Sequence, residues 1–362
     1  MSANGAVERV KRSFFNGQIH CKENRVHAYH AAGALFYHVF IYNLMPSNRA
    51  YTDARDDLQS MKGKLPAKQQ AEMFDKLYLD YQRRYGTDTD NLAIRYLRWI
   101  GVYPMYYGNY DGLLQGNFGY SYDARDDVVN VVKSPLKTTL FINIFATALA
   151  LGISIPLGIH CAVKRGKATD QIVQIITIIG YSLPVFLIAI VSIWIFSSNL
   201  GILPPSGMKT PGSMYTGFKY FKDRMYYMTL PLIVMTFCSL GGMTRYVRAS
   251  MIEALSMDCI RTARAKGVKE KTVIYSHAFR NALIPIVTLV VGWFMSLFSG
   301  SLVVESTFGI HGMGRLMIQA LRGADFDVIM LMQCFYVALG LLGNLIIDIL
   351  YGVVDPRVRV SK

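Results

Sequence analysis

The residues with the most chemistry in them lie in one basic stretch, Arg245–Thr288, which reads RYVRASMIEALSMDCIRTARAKGVKEKTVIYSHAFRNALIPIVT. Ile252, Leu255, Cys259 and Ala263 recur there at an approximate three-to-four spacing, one apolar stripe on a helix. Arg261, Arg264, Lys266 and Lys269 ring that stripe with positive charge, and Ala263 and Ala265 leave room for a close neighbour. Lys266 followed by Gly267 reads as a helix stop: a cation near the carbonyl end, then a residue free to turn left-handed. Such a helix suits a groove on another protein, and on spacing alone it equally suits a solvated basic loop beside a membrane. The chemistry on offer is docking, not bond-making.

Bond-making motifs are missing elsewhere too. No GxxxxGK[ST] phosphate loop occurs, so the chain is not expected to hydrolyse nucleotide itself. Gly309, Gly312 and Gly314 form a glycine-rich turn without the Lys and Ser/Thr of a phosphate cradle. The seven histidines include no HExxH pair, only a loose His20, His27 and His30 group, and GxSxG is absent. Five cysteines without a CxxC pair, three of them (Cys161, Cys238, Cys334) in apolar stretches, predict neither a disulfide framework nor a metal site. No catalytic residue, metal ligand or cofactor is expected in this chain.

The elements that must position the basic stretch are apolar. Of 362 residues, 52% are hydrophobic and 17% charged, against roughly 25% charged in an ordinary globular chain. This composition excludes a disordered chain and a small disulfide scaffold, and disfavours a cytosolic enzyme. Crossing a hydrocarbon core takes roughly 20 apolar helical residues. Five segments reach that length, near Leu136–Val163, Ile172–Ser197, Met228–Thr244, Ala282–Val304 and Val328–Gly352, with Pro156, Pro184 and Pro231 inside or at their edges. A sixth, Ala31–Met45, is weaker and carries His38 and Asn43; a buried or interfacial helix remains an alternative for it. No two-residue period of a membrane β-barrel and no cleavable leader is visible. The expected fold class is therefore an all-α polytopic membrane protein with about six transmembrane helices, five strong and one weak.

Lys and Arg outnumber Asp and Glu by 38 to 24, a net +14 that fits basic loops beside membrane spans rather than nucleic acid. Lys164, Arg165 and Lys167 lie between the first two strong spans. Arg245–Asn281 has eight basic and three acidic residues, and Arg357, Arg359 and Lys362 end the chain. These regions fall on one side, predicted to be cytoplasmic, with both termini. Pro46–Lys133, with twelve basic and twelve acidic residues, falls on the other; the 198–227 loop, four basic to one acidic, argues mildly against the scheme. Within that outer segment, Met73, Phe74, Leu77, Tyr78 and Tyr81 predict a helix over Ala67–Tyr85, and Asp90–Tyr103 a second. Expected divisions are a polar N-terminus over 1–30, a weak span over 31–45, an extracytoplasmic segment over 46–135, a core over 136–352 and a tail over 353–362. Polar groups in or beside spans are candidates for a translocation path: Asn143, Thr147, Asn344, Asp348 and, at the outer end of its span, Glu305. Hydrogen bonding between helices is the alternative for the Asn and Thr side chains.

The run Thr262-Ala-Arg-Ala-Lys-Gly267, followed by His277-Ala-Phe-Arg-Asn-Ala-Leu-Ile-Pro285, resembles the cytoplasmic "EAA" loop of type I ABC importer permeases, and more narrowly the B-type subunit of the oligopeptide/dipeptide permease family. Gly116–Ser121, Ser182–Phe186, Leu203–Gly207, Glu305–Phe308, Asn344–Asp348 and Asp355–Arg357 are similar to family landmarks in the same order, over roughly residues 110–360. The chain departs from the pattern in the polar run 16–30 and in having His311-Gly312 where Pro-Gly is common. The resemblance implies one half of a heterodimeric permease, importing oligopeptides or dipeptides by alternating access. Two ATPase subunits, which would bind ATP and Mg, would lie below it, and an extracytoplasmic peptide-binding protein above. It also implies that the coupling helix comprises Asp258, Arg261, Thr262, Ala263, Arg264, Ala265, Lys266 and Gly267, with Ala263 and Gly267 giving fit and Arg261, Arg264 and Lys266 charge contacts. Alternatives are a same-family permease for nickel or another small solute and, less favoured, a membrane-embedded enzyme.

Overall fold

The computed structural model of the chain describes Gly33 and residues 49–61, 66–121 and 123–354. The weak span Ala31–Met45 (Gly33 apart), the polar stretch 1–30 and positions 355–362 of the tail lie outside the described residues. In chain order the helices are α1 (Arg49–Ser60), α2 (Ala67–Arg84), α3 (Leu92–Ile100), α4 (Val128–Val163), α5 (Ala168–Ser182), α6 (Val185–Ile193), α7 (Gly217–Ser256), α8 (Asp258–Ala265), α9 (Phe279–Ser296), α10 (Leu302–Thr307), α11 (Met313–Gly323) and α12 (Phe326–Val354). Wider π-helical turns extend α6 over Trp194–Asn199 and precede α9 over Val273–Ala278. The chain divides into two compact units, residues 1–131 with 320–341, and residues 132–319 with 342–362.

In the first unit α2 forms where its aromatic spacing predicts. Phe74 meets Tyr51 of α1 edge-on at 5.1 Å and stacks on Tyr78 at 6.0 Å. The hydroxyls of Tyr81 and Tyr85 donate to Asp57 at 2.5 Å and Asp53 at 2.7 Å, fastening the same pair of helices. The bond to Asp57 favours the protonated phenol, and the Tyr81 pKa is pushed up to about 12. Helix α3 starts on Asn91, whose carbonyl oxygen accepts from the Ala93 and Ile94 amides, and stops at Gly101 with φ +90°. A two-residue hairpin, β1 (Tyr120–Ser121) with β2 (Asp126–Asp127), pairs Tyr120 opposite Asp127. It is pinned to the start of α12: the Ser121 hydroxyl donates to the Asp325 carboxylate, and the Tyr120 amide to Asp327 at 3.0 Å.

The second unit is helical and holds most of the membrane-competent length. Among the described residues, α4, α7 and α12 are long and apolar enough to cross a bilayer, and two bent pairs bring the number to five if each is one span. The expected spans Leu136–Val163, Met228–Thr244 and Val328–Gly352 lie within α4, α7 and α12. Two expectations need correction. Ile172–Ser197 is not straight: α5 and α6 meet at 103°, because Pro184 forces Leu183 into extended backbone with ψ 140°. Ala282–Val304 is not continuous either. Helix α9 ends at Ser296, and a turn through Gly300 leads to a separate α10 capped by the Ser301 hydroxyl.

Two apolar cores sit in this unit. One gathers Ile142 and Ala146 of α4, Met228, Leu230, Leu232 and Val234 of α7, and Val304, Phe308 and Ile310. The other lies at the foot of α7 and holds the basic stretch. Between them α5 runs along α7 in close contact: a Cβ at Gly241 would stand 2.3 Å from the Thr177 carbonyl oxygen, and one at Gly180 2.8 Å from that of Phe237. Small residues here let two backbones approach as membrane helices favour.

Candidate functional site

The basic stretch is positioned by one residue. Helix α7 stops at Ser256, Met257 turns extended at φ −66°, ψ 148°, and α8 begins at once in a new direction. The Met257 amide still donates to Ala254 at 3.2 Å, and its carbonyl accepts from Ile260 at 3.0 Å. That break resets the helical phase. Ile260 and Ala263 turn inward at 0% and 8% exposure, while Cys259 is exposed. They pack against Met251 and Ala254 of α7, Ile159 and Ala162 of α4, Val273 and Ile274 of the π-helical turn, and Ala282 and Ile286 of α9. Of the stripe expected through Ile252, Leu255, Cys259 and Ala263, three residues pack on this core and Cys259 does not; Ile260 takes its place. Ala263 is buried among side chains of its own chain.

With those two residues inward, the opposite side of α8 presents Asp258, Arg261, Thr262 and Ala265, all exposed, with Lys266 at its end. The C-terminus closes as the sequence predicts. Gly267 adopts φ +74° and donates its amide to Arg264 at 3.0 Å, and the Val268 amide reaches back to Ala263 at 3.2 Å. A Cβ at Gly267 would touch nothing within 4 Å, so what selects glycine is backbone conformation and not space. Arg264 is folded back over this turn: its Nε and Nη2 donate to Glu270 at 3.2 and 2.7 Å. Glu270 is the residue sequence reasoning missed here. Arg261 and Asp258 stand 3.6 Å apart with both side chains almost fully exposed, a geometry of little energetic weight. The outward surface therefore keeps Arg261, Lys266, Lys269 and Lys271 for an external contact.

The candidates for a path separate into four environments. Asn143 is buried, and its amide donates to the carbonyls of Leu297 at 2.7 Å and Ser299 at 3.0 Å, completing the end of α9. Thr147 is half-buried and Asn344 exposed; the side chain of Asp348 lies outside the described residues. Glu305 is 2% exposed. One of its oxygens accepts from Thr139 Oγ1 at 3.1 Å and the other from the Arg315 amide at 2.8 Å, while Thr139 accepts from the Met313 amide at 2.8 Å. The carboxylate thus faces the N-terminus of α11, where free amides and the helix dipole favour an anion. Burial pushes its pKa up, and the amide and hydroxyl donors pull the other way. A Cβ at Gly312 would lie 2.4 Å from its Oε1, and one at Gly300 2.0 Å from the Gly314 nitrogen, so the glycine turn is built around this acid. Its sequence signal was the acid and the glycines together, not the acid alone.

One further pair was not visible as a pair. Asp170, just past the basic loop of Lys164, Arg165 and Lys167, is 1% exposed and meets Arg248 of α7 through two parallel bonds of 2.8 Å. An acid at a span terminus and an arginine three residues past Arg245 are each ordinary.

Against known proteins, residues 154–360 match the family described as the binding-protein-dependent transport system inner membrane component. The oligopeptide transport system permease protein AppB of Bacillus subtilis is 37% identical over 277 residues, 76% of this chain and 83% of that protein. OppB of Haemophilus influenzae, also an oligopeptide transport system permease protein, is 32% identical over 270 residues, covering 74% and 84% respectively. The dipeptide transport system permease protein DppB of Escherichia coli K12 is 34% identical over 268 residues, covering 69% and 79%. The chain is thus a multi-pass membrane subunit whose work is transport, alongside ATPase and permease partners. With its membrane-length helices, its basic turn at the foot of α7 and these relatives, it belongs to the inner membrane permease family of binding-protein-dependent ABC importers.

Proposed function

We propose that this chain is one half of a heterodimeric permease that imports oligopeptides or dipeptides across a prokaryotic cell membrane by alternating access. The peptide substrate is supported by the names of its relatives. In this reading α8 is the coupling helix. Its face of Asp258, Arg261, Thr262 and Ala265 lies in a groove of an ATPase subunit, with Lys266 at the rim. ATP and Mg sit in two such ATPases, and an extracytoplasmic peptide-binding protein delivers substrate from the opposite side, next to the 46–135 segment. Both termini and the basic turn are cytoplasmic, which the loop charges support. Closure of the ATPases displaces α8 and shifts the spans between two states.

The observation that carries this reading is the preformed outward face of α8, held rigid by Ile260 and Ala263 beneath it. Its test is co-purification of the assembled complex followed by uptake of a labelled dipeptide into proteoliposomes containing ATP. Ala265→Asp and Arg261→Glu should each lower the ATPase-to-permease ratio while the two permeases stay together. A normal ratio with normal uptake in both variants would move the docking surface elsewhere. Uptake of nickel ion but no peptide would overturn the substrate.

A further inference from the structure

We propose that Arg248 and Asp170 are positioning residues for transport, a rigid link that makes α5 move with the coupling helix. The inference rests on α8 being the ATPase contact, as proposed above.

The Asp170 carboxylate is as fully engaged as a carboxylate can be. Arg248 Nε donates to Oδ1 and Nη2 to Oδ2, both at 2.8 Å; Gln174 Nε2 adds a bond to Oδ1 at 2.9 Å, and the Gly166 amide one to Oδ2 at 2.9 Å. Four donors on two oxygens fix the group in orientation as well as in place. Planar two-point contact resists sliding and rotation in a way a lysine does not. Through Gly166 the same carboxylate also holds the turn between α4 and α5.

The position of the pair is what gives it mechanical meaning. Arg248 lies two turns before the Met257 break, on the segment of α7 that ends in α8. Between Arg248 and that break, Met251 and Ala254 share one apolar core with Ile260 and Ala263. Any displacement of α8 therefore reaches Arg248 through close-packed side chains. From Arg248 it passes to Asp170 at the start of α5. Beyond the pair, Arg245 lies over the Tyr181 ring at 4.8 Å, and the Thr177–Gly241 and Gly180–Phe237 approaches continue the same seam. Those later contacts are cation–π and backbone van der Waals contacts, which locate the helices but oppose shear weakly. The one directional bond set on the seam is at the end nearest the coupling helix. A pair kept only for stability had no need of that position, and an apolar pair would serve stability as well.

The test compares the intact complex carrying Asp170→Asn or Arg248→Lys, reconstituted with its ATPases and receptor. Three readouts are taken: the ATPase-to-permease ratio, ATP turnover, and peptide moved per ATP. Asp170→Asn should keep the ratio and hold ATP turnover within about twofold, yet lower peptide per ATP by about tenfold or more. Arg248→Lys, which keeps the charge and loses the fork, should fall between it and wild type. Unchanged peptide per ATP in both variants would overturn the link. So would a parallel fall of assembly, turnover and uptake, which marks a pair that only stabilises the fold. Failure of the α8 reading is separately visible, because Ala265→Asp would then keep its ATPases.

Discussion

Two regions of the same unit bury a carboxylate and answer it in opposite ways. Asp170 is met by a formal charge, Arg248, delivered from another helix. Glu305 is met by backbone amides and one hydroxyl, delivered by a glycine turn and the first turn of α11. The first answer is carried mainly by side chains, Arg248 and Gln174, with a single backbone amide from Gly166, and so it constrains little of the local backbone. The second needs the backbone itself, and so it consumes the local sequence: Gly300, Gly312 and Gly314 are all fixed by it. A charge pair also cancels its own desolvation in part, whereas an acid among dipoles keeps a net charge in the interior.

The most damaging way to attack this contrast is to give the glycine nest a side chain. Gly300→Val should abolish recovery of monodisperse protein, because even a Cβ would stand 2.0 Å from the Gly314 nitrogen. Gly292→Ala, where a Cβ meets nothing within 4 Å, is the control and should be recovered normally. Normal yield of Gly300→Val would show that the turn can yield.

The next is a third carboxylate placed where neither answer exists. Ala263→Asp buries an acid among the Met251, Ile260 and Val273 side chains, at a cost of several kcal/mol. Thermal unfolding in detergent should show a large loss of stability, while Ala263→Ser is much milder and Ala265→Asp, on the exposed face, folds as wild type. Equal stability of the two Asp variants would refute the assignment of faces on α8.

Gly267→Val isolates the backbone contribution with no carboxylate involved. A β-branched residue at φ +74° should cost about 1 kcal/mol or more, and uncouple uptake from hydrolysis while insertion stays normal. Wild-type uptake would remove the left-handed turn from the argument.

The smallest expected effect concerns protons. Glu305 has its folded pKa raised by burial, so the folded state binds its proton more tightly than the unfolded chain. Its stabilising contribution is complete below the ordinary carboxylate pKa and is lost as pH rises through the raised value. Lowering pH from the alkaline side toward the ordinary carboxylate range should therefore stabilise wild type slightly relative to Glu305→Gln. A constant melting difference across that range would mean the amides have fully offset burial.

How much of this was legible follows from where the signals are local. The α2 helix could be read because Met73, Phe74, Leu77, Tyr78 and Tyr81 carry its period, and the stop at Gly267 because a cation and a glycine mark it. Helix α1 could not, since RAYTDARDDLQS has no apolar period to read. Pro184 is visible in the sequence, where it is equally compatible with a tolerated proline inside a straight span, and its 103° bend is set by packing. The stripe misses at one position for a related reason: a period drawn from Ile252 to Ala263 assumes one helix, and the Met257 break turns Ile260 inward in place of Cys259. Landmarks of the glycine turn, Glu305 among them, were read as family signals without their geometry. The Asp170–Arg248 pair was illegible in principle, because 78 residues of chain separate partners that only tertiary packing brings together.

The eight-residue length of α8 has a practical consequence. At 1.5 Å per residue it is only about 12 Å long, and isolated helices shorter than about 12 residues are marginal in water. Its shape as an epitope is therefore a product of the surrounding fold and is absent from the bare sequence. A linear synthetic peptide copying residues 258–267 would be mostly coil and a poor competitor for whatever binds this surface. Antibodies raised against such a peptide would favour unfolded chain over assembled transporter. A peptide staple that replaces Ile260 and Ala263, leaving Asp258, Arg261, Thr262 and Ala265 outward, would supply from outside the constraint that α4, α7 and α9 supply from within.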